Sequence, residues 1–315
     1  MAETGRNGAV RRAGFHKNMA LNRYMRQGKR VLLKVLIYAA LFELSFLFLL
    51  PLIYILSNSA KSIEDYLDAT VMLIPNAVHW LNYQEAVKVL QYWPSLKNTL
   101  EIVIPSSIGQ LLSCALTGYG FARYHFPGKG MLYVILLIGL IVPPQTIIIS
   151  LYSLFHQLGW LNSNLPFTVP AFFAQGLRGS LFILIFLQFF RTLPREMEEA
   201  ARVDGAGSFR VFFQIMLPLV KPAIVLVGVF SFIWHWNDSF EPSIYFSSME
   251  STTIATVLNA LIYANSNING IIPSDYVNEP ILFACCLLLV FPLFVLYIFA
   301  QRFLTEGVER TGLVE

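Results

Sequence analysis

Six long apolar stretches limit what this chain can fold into more than any other feature. They run at about 31–56, 98–122, 131–156, 165–190, 219–238 and 280–302. Each is close to or above the roughly 20 residues that a helix needs to cross a hydrocarbon core of about 30 Å. With 56% hydrophobic and 13% charged residues, the 315-residue chain is too apolar for an ordinary soluble domain. We therefore predict an all-α polytopic membrane protein with six transmembrane helices.

The positions of lysine and arginine predict how these spans are oriented. All but four of the 22 Lys and Arg residues lie before position 35, at 123–130, at 191–221 or from position 302 onwards, and the exceptions are Lys61, Lys88, Lys97 and Arg178. Basic residues gather on the cytoplasmic side of a membrane, so both termini are predicted to be cytoplasmic. The basic N-terminal tail invites a nucleic-acid interpretation, but it directly precedes a span, where anionic lipid is the favoured partner.

Two spans carry features that predict how they pack. Gly109, Ser113 and Thr117 recur every four residues, and small residues on one face let another helix approach closely. The sequence "VPPQT" holds Pro143 and Pro144, which a straight helix cannot accommodate, so the third span is expected to kink or break there. A transport pathway and ordinary helix packing explain such a break equally well.

Glu43 and Arg178 are the charged residues expected near the middle of the membrane, where an unpaired charge is costly. We take them, with Trp236 and Asn237 of "FIWHWNDSFEP", as candidates for a translocation pathway or its gate. Two alternatives stay open. Arg178 has a purely structural role if it pairs with Glu43 or a second subunit, and for the tryptophans a membrane interface is favoured over a sugar site. No catalytic or metal-binding residue is predicted.

A charged segment, "EEAARVDGAGSF", interrupts the apolar chain between the fourth and fifth spans. Glu196, Glu198 and Glu199 suit the first turn of a helix, and Glu198 and Arg202 are spaced to pair. Gly205 can adopt the left-handed conformation that ends such a helix. The segment is predicted to be a short helix, an elbow and a second short helix. Because helices this short are marginal in water, each must rest on a protein groove or on the membrane.

The second short helix is predicted from its apolar residues. Phe209, Phe212, Phe213 and Met216 stand at i, i+3, i+4 and i+7, a spacing that predicts one apolar stripe.

The sequence "EAARVDGAGSFRVFFQIMLPLVKP" resembles the EAA loop of ABC importer permeases. The residues at the spacing of that family are Glu199, Ala200, Ala201, Asp204, Gly205, Ala206, Phe212, Ile215, Leu217 and Pro218. "NTLEIVIPSS", "LTGYGFARYHFPGKG" and "WNDSFEPSIY" are similar to the maltose-type, carbohydrate-importing branch, so the resemblance runs from about residue 95 to the C-terminus.

This resemblance implies the type I transmembrane fold of ABC importers and four regions. They are a basic cytoplasmic tail at 1–30, a first transmembrane helix with an external loop at 31–94, a five-helix ABC type-1 transmembrane domain at 95–302, and a cytoplasmic C-terminal tail at 303–315. The EAA loop, at about 191–221, would dock with its Glu199, Ala200, Ala201, Asp204, Gly205, Ala206 and Phe212 into an ABC ATPase subunit.

The resemblance also implies partners. They are ABC ATPase subunits, a second, homologous permease subunit in a heterodimer, an extracytoplasmic solute-binding protein, the sugar and the lipid membrane, with no nucleic acid. The external loop at about 241–279 would reach into the binding protein. The chain has no G-x-x-x-x-G-K-[ST] motif, so we expect no cofactor in this chain, with ATP and Mg²⁺ held by the partner ATPase.

Two other classes of protein compete with the importer. A stand-alone, ion-driven carrier would account for Glu43, Arg178 and the broken spans, but it leaves the EAA loop unexplained. An intramembrane enzyme is disfavoured because the sequence has no H-E-x-x-H motif and its histidines are scattered.

Overall fold

The computed structural model describes the backbone of residues 3–176, 178–247, 252–266 and 277–311, and the side chains of 28–176, 178–247, 252–265 and 277–303. These residues are helical or lie in turns and loops, and none of them is in a strand. The chain divides into two compact units, Met1–Ser57 and Asn58–Glu315. The described part of the chain is therefore all-α, as predicted.

The first unit is formed by a single helix. α1 (Glu3–Ser59) is continuous, and its stretch Gly28–Ser59 is apolar and long enough to cross a membrane. The predicted basic tail and first span thus share one helix, which contains Glu43 near the middle of the apolar stretch.

The second unit contains fourteen α-helices in the described residues. They are α2 (Ile63–Leu67), α3 (Leu81–Val89), α4 (Tyr92–Arg123), α5 (Lys129–Ile141), α6 (Ile148–Gln157), α7 (Leu165–Phe172), α8 (Gly179–Thr192), α9 (Glu196–Val203), α10 (Ser208–Arg210), α11 (Leu217–Leu219), α12 (Lys221–Asn237), α13 (Phe240–Tyr245), α14 (Ile254–Ser266) and α15 (Glu279–Thr311). A 3₁₀ turn at Pro144–Thr146 and a π-helical turn at Val211–Met216 complete the helical structure.

Each of the six predicted spans coincides with helix, but not with six continuous helices. Among the described residues, α1, α4 and α15 are long and apolar enough to cross a membrane, and α12 forms a fourth candidate together with the segment Ser208–Leu219, from which it is bent by 82°. The third span is divided between α5 and α6, because Pro143 and Pro144 interrupt the helix as predicted. The fourth is divided between α7 and α8.

α4 is the central helix of the second unit. The predicted close packing of its small residues is confirmed, because a Cβ on Gly109 would lie 2.7 Å from the Phe172 ring of α7. Ser113 on the same face donates a hydrogen bond to the Ala171 carbonyl at 2.8 Å. Gly118, which lies outside the four-residue spacing, is packed as closely against Phe186 of α8. The large side chains of α7 and α8 thus fill the space that the small residues of α4 leave open.

Candidate functional site

α9 and the elbow after it adopt the geometry that the EAA loop sequence predicts. The Gly205 amide donates to the Arg202 carbonyl at 3.0 Å, and the Ala206 amide donates to the Ala201 carbonyl at 2.9 Å. This pair of bonds is a Schellman motif, which requires a left-handed residue after the helix. Gly205 supplies it with φ of +82°. The predicted left-handed elbow at Gly205 is confirmed.

The seven residues singled out in the EAA loop fall into two groups. Glu199, Ala200, Asp204 and Gly205 are exposed on one side of α9 and its elbow. Ala201 and Phe212 are buried, and Ala206 is half-buried. The first group forms a surface on which a partner can rest, while the second group attaches that surface to the rest of the unit.

The firmest attachment is an ion pair inside the fold. Glu198 turns away from the exposed side of α9, and its carboxylate lies 2.5 Å from the Arg123 guanidinium at the end of α4, close in distance but not aligned as a hydrogen bond. The Tyr119 hydroxyl, one turn earlier on α4, lies 3.1 Å from the same carboxylate. The predicted pairing of Glu198 with Arg202 is therefore wrong, because a partner inside the fold takes its place.

Aromatic rings pack against Tyr119, the residue that contacts this ion pair. Tyr119 packs against Phe212 with ring centroids 5.1 Å apart and against Phe190 of α8 at 5.3 Å. Phe212 and Phe190 are themselves 6.2 Å apart. One compact cluster thus joins α4, α8 and the π-helical turn.

The predicted apolar stripe after the elbow is wrong. Phe212 and Met216 are buried, whereas Phe209 is 74% exposed and Phe213 is half-exposed. The π-helical turn at Val211–Met216 changes the angular spacing on which the stripe depended. Phe209 and Phe213 therefore add an apolar edge to the exposed side of the EAA loop.

Arg178 lies at the break between α7 and α8 rather than within a continuous span. Among the described residues of this break, Ala174, Gly176 and Arg178 are in the left-handed region, with φ between +59° and +92°. Ser113 of α4 stabilises it by accepting a hydrogen bond from the Ala174 amide at 3.0 Å. Arg178 itself is exposed, and its guanidinium carbon lies 5.6 Å from the centre of the Trp234 ring. This is the geometry of a cation–π contact.

Trp236 and Asn237 lie at the C-terminal end of α12 in different surroundings. Trp236 is fully buried, and its indole nitrogen donates to the Leu289 carbonyl of α15 at 3.0 Å. The membrane-interface position favoured from the sequence is therefore wrong for Trp236, since its ring faces the interior. Asn237 is exposed, with its amide bonded to the Ile233 carbonyl at 2.9 Å. Their part in a pathway stays a prediction.

Burial raises the pKa of two acidic groups just beyond α12, Asp238 and Glu241. Burial raises the pKa of the Glu241 carboxyl to about 8, and the neighbouring Asp238 carboxylate adds to the rise. Burial therefore favours the protonated, neutral form of Glu241. The end of α12 is less negatively charged than its sequence indicates.

Two predicted features stay predictions. Glu43 lies on α1 in the first compact unit, and its part in a pathway is a prediction. In the external loop, residues 248–251 and 267–276 lie outside the described residues, so the predicted reach of the loop at about 241–279 stays a prediction.

Arg123 and Tyr119 are members of the site that the sequence did not predict. In the sequence Arg123 indicates only the orientation of the spans, and its place at the end of "GYGFAR", beside a span terminus, is the available signal.

Long apolar helices, together with a charged EAA loop attached to the 32-residue α4 by a buried ion pair, are the features of a membrane-embedded transport permease. The chain belongs to the family of binding-protein-dependent transport system inner membrane components, whose model matches residues 114–310. It is therefore a multi-pass membrane protein of the permease class.

Relatives and a solved structure agree with this family. The chain is 30% identical to the diacetylchitobiose uptake system permease protein NgcG of Streptomyces coelicolor, over 87% of this chain and 86% of the relative. It is 26% identical to the melibiose/raffinose/stachyose import permease protein MelC of Bacillus subtilis, over 82% and 89%. A crystal structure of a bacterial ABC transporter involved in alginate import contains a chain with the same fold, at a TM-score of 0.72 and 20% identity, over 86% of this chain and 96% of that one.

Proposed function

We propose that this chain is a permease subunit of an ATP-driven, binding-protein-dependent importer of carbohydrate, from mono- to oligosaccharide. The observation that carries the proposal is the EAA loop, whose exposed group rests on an elbow held by the Schellman motif. The named relatives are sugar-uptake permeases, which supports carbohydrate as the substrate class.

The proposed partners are those that the family of this chain implies. Its sequence has no phosphate-binding motif for ATP, so an ABC ATPase holds ATP and Mg²⁺ and this chain hydrolyses nothing. A solute-binding protein delivers the sugar, and a second, homologous permease completes a heterodimer. Both termini and the EAA loop lie on the cytoplasmic side, as the distribution of Lys and Arg indicates.

Within this proposal the exposed residues Glu199, Ala200, Asp204 and Gly205 contact the ATPase. The alanine offers no bulk that would hold a partner away, and the two acids supply charge for hydrogen bonds. Phe209 and Phe213 add apolar area at the edge of the contact. The buried residues Ala201 and Phe212 keep this surface in place.

Co-purification tests the proposal. The tagged chain is extracted gently from its native host, and the proteins that accompany it are identified. We expect a stoichiometric ATPase and a second permease, after which the neighbouring binding protein is screened against a panel of sugars. A chain that emerges alone and stable from several detergents would contradict the importer and favour an ion-driven carrier.

We predict that Arg178→Leu impairs assembly or gating more than sugar affinity. The substitution removes the cation–π contact with Trp234 at the break in the fourth span, a contact of roughly 0.5–2 kcal/mol. Uptake is measured against sugar concentration in the assembled complex, and we expect a lower maximal rate with an unchanged half-saturating concentration. Lys97→Leu, which removes an exposed positive charge on α4 outside the EAA loop, serves as the control. A change in apparent affinity alone, with assembly intact, would place Arg178 at the sugar instead.

A further inference from the structure

The Arg123 guanidinium contacts the EAA loop at two points. It lies 2.5 Å from the Glu198 carboxylate, and it donates a hydrogen bond to the Leu193 carbonyl at 2.8 Å. Leu193 lies before α9 and Glu198 lies within it. Because the two contacts are separated along the chain, one side chain fixes both the entry to α9 and the body of the helix. Any rotation of α9 about the end of α4 would break at least one of them.

The pair is also shielded from water, which decides how strongly it holds. The Arg123 and Glu198 side chains are 6% and 8% exposed. Exposed ion pairs contribute about 0–1 kcal/mol, whereas breaking a buried pair by removing one partner costs about 3–5 kcal/mol. The surrounding rings of Tyr119, Phe190 and Phe212 resist compression, but packed rings can slide past one another. The charged pair resists both separation and rotation.

α4 carries this attachment to distant parts of the unit. The helix has 32 residues and is therefore about 48 Å long. Midway along it, Gln110 accepts a hydrogen bond from Ser231 of α12 at 2.8 Å, and Ser113 holds the break before α8. Near its other end, the Thr99 hydroxyl accepts a hydrogen bond from the Ile254 amide at the start of α14 at 3.1 Å. The helix thus makes polar contacts with other elements at three depths.

We infer that Arg123 and Glu198 form the joint through which movement of the EAA loop is transmitted to α4, and through α4 to the break before α8 and to the start of α14. Arg123 and Glu198 are positioning residues, since neither belongs to the exposed group that contacts the ATPase. The joint works in both directions, pushing α4 when the ATPase closes and pulling it when the ATPase opens. This inference rests on the proposed function of the EAA loop.

The test measures sugar uptake per ATP hydrolysed by the purified complex in proteoliposomes, with its binding protein present. For Glu198→Gln, which keeps the shape of the side chain and removes its charge, we expect uptake per ATP to fall by about tenfold. The control is Glu101→Gln, which breaks the exposed Lys97–Glu101 pair on the same helix and is expected to leave the ratio unchanged. A merely structural role would lower uptake and hydrolysis in proportion, and that result would overturn the inference.

A second variant covers the case in which Glu198→Gln yields no complex because it leaves the Arg123 charge buried and unpaired. The double variant Arg123→Met with Glu198→Leu removes both charges, a change that buried ion pairs often tolerate. We expect it to assemble and to show the same lowered uptake per ATP, whereas the unaltered ratio would overturn the inference. If the wild-type chain binds no ATPase and shows no ATP-driven uptake, the proposed function fails first.

Discussion

Gly205→Pro uncouples transport from ATP hydrolysis. We expect the complex to insert, assemble and hydrolyse ATP while its ATP-driven uptake falls by at least about tenfold. Proline locks φ near −65°, whereas Gly205 has φ of +82° and donates its amide hydrogen to the Arg202 carbonyl. The substitution therefore removes both the left-handed elbow and one of the two bonds of the Schellman motif. The exposed side of α9 would no longer be presented in a fixed orientation. Uptake and ATP hydrolysis are measured together on the same proteoliposomes.

Gly207→Pro provides the matched control two residues further on. Gly207 has φ of −69° and ψ of 161°, which proline adopts without strain, and a side chain there would meet open space. We expect this variant to transport at close to the wild-type rate. Normal uptake by Gly205→Pro would contradict the proposed role of the EAA loop, because the elbow would then be dispensable.

Phe212→Ala is the second change with a large expected effect, and it acts on stability. Phe212 is 2% exposed and packs against both Tyr119 and Phe190. Truncating a buried phenylalanine costs about 3–5 kcal/mol, because the cavity left behind closes only in part. We expect the thermal midpoint of the detergent-solubilised chain to fall by at least about 6 °C.

Phe209→Ala is the matched comparison, because it tests the exposed edge of the EAA loop instead of its buried part. The same truncation at a side chain that is 74% exposed should change stability by no more than about 0.5 kcal/mol. If Phe209 lies at the contact with the ATPase, this variant retains less ATPase on purification while its thermal midpoint stays unchanged. Equal losses of stability at both positions would contradict the division of the EAA loop into a buried and an exposed group.

Features that depend on neighbouring residues could be predicted from the sequence. The break at Pro143 and Pro144 follows from a missing amide hydrogen and a ring clash within one turn. The left-handed elbow at Gly205 follows from the freedom of glycine at a helix end. The close approach of α7 to Gly109 follows from small residues recurring on one helix face. Each of these depends on a pattern only a few residues long.

Features that depend on distant residues could not be predicted in this way. Glu198 had a plausible local partner in Arg202, and nothing in the local spacing pointed to Arg123, 75 residues earlier in the chain. The predicted phenylalanine stripe separates into buried and exposed side chains at the π-helical turn Val211–Met216. The spacing of the residues did not predict that turn. The burial of Trp236 depends on α15, which lies beyond the external loop in the chain.

The measurement that tests the central claim most directly is uptake of labelled sugar by the co-purified complex in proteoliposomes, with the energy source varied. The account predicts uptake that requires ATP and the solute-binding protein together, and that a proton or sodium gradient cannot replace. Uptake driven by such a gradient, in the absence of ATP, would contradict the account and identify the chain as an ion-coupled carrier.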